Sequence, residues 1–124
     1  MRTLLFILFT VALSTNAHLQ SSVPSDAKRF DEAQTLFAQG KFRDALRILN
    51  SISSDYPYRA ELHVSKAACY LQLGDPASAL REIEYAEKED ADQETIDFVK
   101  YIKALALISL RKVKSGKDVI DEIQ

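Results

Sequence analysis

The stretch FAQGKFRDALRIL, Phe37 to Leu49, decides the fold, because its key positions return 34 residues later in LQLGDPASALREI, Leu71 to Ile83. At that offset Gly40 meets Gly74, Ala45 meets Ala79, Leu46 meets Leu80 and Leu49 meets Ile83. Outward from the stretch, Ala33 meets Ala67 and Leu36 meets Tyr70. Phe42 meets Pro76, the one poor match among them. Each copy reads as helix, short turn, helix.

The physics of each part follows from residue type. From Asp26 to Gln39 the apolar positions Phe30, Ala33, Leu36 and Phe37 recur at helical spacing. Gly40 ends that helix, since glycine adopts the left-handed cap conformation without steric cost. Phe42, Ala45, Leu46, Ile48, Leu49 and Ile52 form the stripe of a second helix. Pro57 closes the block and can start the next helix at its first turn. Glu61 to Leu73 repeats the first pattern through Val64, Ala67, Ala68, Tyr70 and Leu71. Gly74-Asp75-Pro76 then reads as C-cap glycine, N-cap aspartate and first-turn proline, followed by Ala79, Leu80, Ile83 and Ala86. The small residues Ala33, Ala45, Ala67 and Ala79 let antiparallel helices approach to roughly 8–10 Å.

These residues carry a resemblance. FAQGKFRDALRIL followed by Pro57 resembles the tetratricopeptide repeat signature. In that family a small residue in the first helix precedes a turn Gly, an aromatic two residues on, Ala in the second helix and a closing Pro. Ala33, Gly40, Phe42, Ala45 and Pro57 occupy those places, and Ala67, Tyr70, Gly74, Ala79 and Ile83 serve in the second block. The early Trp position holds Arg29 and His63, Pro76 replaces the aromatic, and Ala91 replaces the closing Pro.

The resemblance implies an all-α fold, a short right-handed α-solenoid of about three antiparallel helix pairs. Repeat 1 is expected at 26–59, repeat 2 at 60–93, and a degenerate third repeat or cap at 94–124. In that last block Thr95 to about Lys114 reads as one long helix. Ser115-Gly116-Lys117-Asp118 reads as a turn, and Val119 to Ile123 as a short final helix. Repeat arrays usually need three or more units with atypical ends, so two and a half units leave room for a homodimer or a stabilising partner.

The first segment reads as an address. Met1-Arg2, the apolar run Leu4 to Leu13 broken only by Thr10, and Ser14-Thr15-Asn16-Ala17 have the layout of a secretory signal peptide, with cleavage expected after Ala17. The run is about ten residues long, against about 20 for a membrane span, so no span is expected after cleavage. The retained anchor is the competing reading of this segment. Removal of residues 1–17 takes away Arg2 alone and leaves 15 basic against 18 acidic side chains. His18 to Ser25 (HLQSSVPS) reads as a flexible lead. The expected localisation is exported, periplasmic or secreted.

Composition narrows the chemistry. With 16 Lys+Arg against 18 Asp+Glu there is no basic excess, the usual source of affinity in a nucleic-acid binder, so no nucleic-acid partner is expected. Cys69 is the single cysteine, which excludes an intramolecular disulfide and a CxxC pair. The two histidines, His18 and His63, do not supply a zinc set, and no metal or cofactor is expected. Three glycines cannot build a phosphate cradle, and no nucleophile elbow accompanies the serines, so no catalytic residues are expected and the chain is read as a non-enzyme. Cys69, between Ala68 and Tyr70 in a helix, reads as a buried inert thiol. The acidic run from Glu82 to Asp97, relieved by Lys88, lacks a calcium-loop spacing and reads as a solvated helix end.

What remains is binding. By the family resemblance the first helix of each pair lines a concave face. Groove candidates are Phe30, Gln34 and Phe37, then Val64, Ala68 and Leu71, then Phe98, Ile102 and Leu105, with Ala27, Ala38, Glu61, Gln72 and Thr95 at flanking positions. The basic and Asn positions that clamp a C-terminal carboxylate in chaperone-binding members are absent. The expected ligand is a protein or peptide with an apolar helix or extended segment. The competing reading is that the aromatic residues of this stripe fill the core. The expected role is an exported interaction module or assembly adaptor; the alternative is a chaperone or secretion accessory for exported clients.

Overall fold

The structure is a computed structural model that describes residues 25–123. The expected signal segment with its cleavage point lies outside the described residues, as does the lead before Ser25. Five helices follow in order: α1 (Asp26–Ala38), α2 (Phe42–Asn50), α3 (Arg59–Gln72), α4 (Pro76–Glu87) and α5 (Gln93–Ile123). Among the described residues there is no strand. α1 packs on α2 and α3 on α4, α2 links the first pair to α3, and α5 lies against both α4 and α3. The result is the expected all-α solenoid.

Local chemistry places the boundaries. The Ser25 hydroxyl accepts from the Lys28 amide at 3.2 Å and caps α1. At the far end Gly40 takes φ +77°, its amide donates to Phe37 O at 2.9 Å, and the Lys41 amide reaches back to Leu36 O at 2.9 Å. This is the paired closure of a Schellman motif. The same closure recurs at Gly74, with φ +80° and the Asp75 amide donating to Tyr70 O at 2.9 Å. A side chain at either glycine would meet open space, so backbone conformation alone requires them. Asp75 then caps α4 through the Ser78 amide at 3.1 Å, with Pro76 in the first helical position.

Two buried clusters form the core. Ala33, Ala45, Leu49, Ile52, Tyr56, Leu62 and Cys69 close the first pair onto α3. Val64, Ala67, Ala68, Ala79, Ile83 and Ala86 meet Val99, Ile102 and Ala106 of α5 in the second. Phe37 packs against both. The four alanines of the small-residue pattern, Ala33, Ala45, Ala67 and Ala79, are fully buried, at no more than 1% exposure.

Three local expectations are corrected. Pro57 is not in the first turn of α3, which begins at Arg59. The buried Tyr56 ring stacks on Phe30 at 5.8 Å and meets Tyr58 edge-on at 5.7 Å, which holds the linker down and delays the helix. No turn occurs at Ser115–Asp118, because Gly116 sits inside α5. It lacks the Asp-Pro restart that follows Gly74, and a lone glycine within a helix costs only about 1 kcal/mol. The third pair is therefore one helix of 31 residues, roughly 46 Å long beside the roughly 18 Å of α4.

The two positions that depart from the family's tryptophan find polar partners. Arg29 pairs with Asp26 at 3.3 Å. His63 is buried on α3, where its Nδ1 meets Glu82 Oε2 of α4 at 2.8 Å and its ring lies 5.4 Å from that of Tyr85. A hydrogen bond replaces the apolar contact that an indole would make there.

Candidate functional site

The first helices of the successive units, α1, α3 and α5, share one face of the molecule, and two adjoining cavities open on it. The outer cavity, about 240 Å³, is bounded by Phe30 and Gln34 of α1, Glu61, Val64 and Ser65 of α3, and Glu94, Thr95 and Phe98 of α5. The inner one is a slot of about 40 Å³ between Ala33, Gln34, Phe37, Leu49, Ser65, Ala68, Cys69 and Phe98. Gln34, Ser65 and Phe98 line both, so the two form one groove with α3 as its floor.

Side-chain bonds across the floor fix its width. Gln34 Nε2 donates to Ser65 Oγ at 3.1 Å and ties α1 to α3. Thr95 Oγ1 donates to Glu61 Oε1 at 3.0 Å and ties α3 to α5. The start of α5 is held in turn by Asp92, whose carboxylate accepts from the Thr95 amide at 2.8 Å. That bond, and then the Thr95 side chain, lower the Asp92 pKa from its ordinary value.

The nine groove candidates separate by burial. Phe98 is 41% exposed on the α5 wall. Gln34 is exposed beside it, and Phe30 and Phe37 are half-buried on the α1 wall. Val64 and Ala68, at 2% and 7% exposure, are buried in the core but present an edge to the floor. Leu71, Ile102 and Leu105 line neither cavity. Ile102 is a core residue, and Leu71 and Leu105 pack half-buried against the same cluster. The reason is the roll of α5, which turns Thr95, Val99, Ile102 and Ala106 inward and leaves Phe98 at the rim. The core reading of the apolar stripe thus holds for Ile102, with Leu71 and Leu105 packed against the core, while Phe30, Gln34, Phe37 and Phe98 border the cavities.

Ser65 and Glu94 were not legible as groove residues. Ser65 lies outside the apolar period of α3, and its bond to Gln34 spans 31 residues, short of the repeat length. Contacts between neighbouring first helices are not written in the alignment of one repeat on the next.

Other features offer less to a ligand. Cys69 forms part of the base of the slot, and burial pushes its thiol up to about 11, which makes it a poor nucleophile. Among the described residues no group of three or more His, Cys, Asp or Glu side chains could hold a metal ion. No described helix is long and apolar enough to cross a membrane. A larger, more open cavity of about 540 Å³, lined by Arg43, Leu46, Arg47, Asn50, Tyr70, Leu73 and Asp75, lies away from the groove. The acidic run is partly paired, with Glu87 bridged to Lys103 at 3.0 Å and Glu89 to Arg59 at 3.5 Å. Such exposed pairs contribute at most about 1 kcal/mol.

A groove along successive first helices of stacked pairs defines a helical-repeat interaction protein. The family model of the tetratricopeptide repeat matches residues 36–97. The chain belongs to the tetratricopeptide repeat family, whose repeats generally mediate protein–protein interaction. No curated protein and no solved structure matches the chain.

Proposed function

We propose that this chain is an exported interaction module, an assembly adaptor that holds a segment of a partner protein in the groove of α1, α3 and α5. The observation that carries this reading is Phe98. A large aromatic ring stands 41% exposed over a slot floored by Ala68, opposite Phe37. Exposed apolar side chains gathered at a concavity mark interaction sites. Export rests on the apolar run Leu4 to Leu13 and the small residues that follow it.

The test is cross-linking capture with the mature chain in the exported fraction, run in parallel with Phe98→Ala. One defined complex, lost in the variant, supports the adaptor. Equal recovery by both proteins would falsify the groove assignment.

A second reading has its own observation. Tyr101, Leu107 and Ile108 are 60%, 49% and 52% exposed on α5. This suits a chaperone or secretion accessory that holds unfolded exported clients, or a homodimer seated on α5. Suppression of aggregation across a panel of unrelated unfolded proteins favours the accessory. A concentration-dependent dimer in sedimentation velocity, abolished by Tyr101→Ser with Ile108→Ser, favours the second copy.

A further inference from the structure

We propose that the outer end of the groove receives an arginine side chain from the partner segment, with a small apolar side chain of that segment in the adjoining slot. The proposal rests on the groove being the docking site and specifies the chemistry of what docks.

The outer cavity, about 240 Å³, holds two carboxylates, Glu61 and Glu94, and among the described residues no basic side chain lines it. Phe30 stands on one wall and Phe98 on the other. A planar guanidinium suits such a site better than an ammonium. It stacks on an aromatic face while its fork of N–H groups reaches carboxylate oxygens. Glu61 is pre-positioned for this. Its Oε1 accepts from Thr95, a hydroxyl-bearing side chain buried at 9% exposure, and among the described residues its Oε2 carries no hydrogen bond. Nearby guanidiniums are engaged elsewhere, Arg29 with Asp26 and Arg59 with Glu89.

The fold tolerates two acids around one cavity for an identifiable reason. Glu61 and Glu94 lie in the first turns of α3 and α5. The exposed amides of a helix's first turn favour negative charge there. The acids therefore persist without an internal cation and leave the pairing to a ligand. An acidic segment would meet two like charges, so the same end of the groove selects against it. The slot beyond, about 40 Å³ between Ala33, Phe37 and Ala68, admits only a small apolar group.

A random peptide library displayed on phage is selected against the full chain, against Ser65→Trp, which fills the groove floor, and against the double variant Glu61→Gln, Glu94→Gln. Glutamine at 61 keeps an acceptor for Thr95, and thermal melting of each variant checks the fold. Peptides blocked by Ser65→Trp are expected to be enriched in arginine beside a small apolar residue. Their affinity, read by fluorescence anisotropy, is expected to fall about tenfold in the double variant. Groove-dependent peptides without arginine enrichment, or with unchanged affinity in the double variant, overturn the arginine assignment and leave the groove standing. A selection that yields no peptide blocked by Ser65→Trp removes the groove itself and the arginine site with it.

Discussion

Phe98→Ala and Phe37→Ala are predicted to behave oppositely, and the contrast can be worked from where each ring sits. Truncating a fully buried phenylalanine costs about 3–5 kcal/mol. Phe37 is half-buried, packs against both core clusters, and meets the Phe42 ring edge-on at 5.0 Å. About half the full-burial cost, together with roughly 0.5–1.5 kcal/mol for the aromatic pair, gives a loss of about 2–4 kcal/mol. Phe98 is 41% exposed and belongs to neither cluster, so its truncation forfeits only the transfer of the covered part of the ring, about 1–2 kcal/mol. For a domain of this size each kcal/mol moves Tm by about 4–8 °C. Phe37→Ala should therefore lower Tm by roughly 8–32 °C, and Phe98→Ala by about half as much, roughly 4–16 °C. Urea unfolding followed by circular dichroism, with the m-value held constant, gives the free energies directly. Only Phe98→Ala should leave a well-folded protein with impaired partner binding. Equal destabilisation by the two variants would refute the division of the stripe into a core ring and a groove ring.

Four further outcomes follow from the same geometry. Gly40→Ala and Gly74→Ala should each cost about 1–2 kcal/mol in urea unfolding, from the left-handed backbone alone, since neither new methyl meets a neighbour; a neutral effect would mean the turn relaxes to negative φ. Asp75→Ala should cost about 1 kcal/mol at neutral pH as a lost N-cap. Bonds from Ser78, its side chain first, lower the folded-state pKa of Asp75, so its contribution is present above the unfolded value of about 3.9 and lost as pH falls through the folded one; a variant difference that persists to pH 2 contradicts this. His63→Ala should destabilise by about 1–3 kcal/mol, because it strands the mostly buried Glu82 carboxylate, and His63→Ala in a Glu82→Ala background should cost clearly less in a double-mutant cycle. Cys69 should react with a disulfide reagent far more slowly in the native chain than in urea, since burial both shields the thiol and raises its pKa to about 11; equal rates would place it at the surface.

The sequence by itself determined the parts of this protein that are local and periodic. Gly40 and Gly74 end helices because only a glycine adopts φ near +80° without strain, and that requirement is visible one residue at a time. Asp75-Pro76 starts α4 for equally local reasons, and alanines at a 34-residue interval announce close crossings. Tertiary structure decided what depends on rotation and on distant partners. Tyr56, in the linker, became a core residue because Phe30 of α1 stacks against it, which no pattern around Pro57 discloses. Gly116 resembles a turn in sequence, yet the helix passes through it, since the cost of one helical glycine is small and no restart signal follows. The roll of α5 sent Ile102 to the core and Phe98 to the rim, although both fit the same apolar stripe. Periodicity fixes which residues share a helix face. Packing fixes which part of that face is covered, and the uncovered part is where a partner can bind.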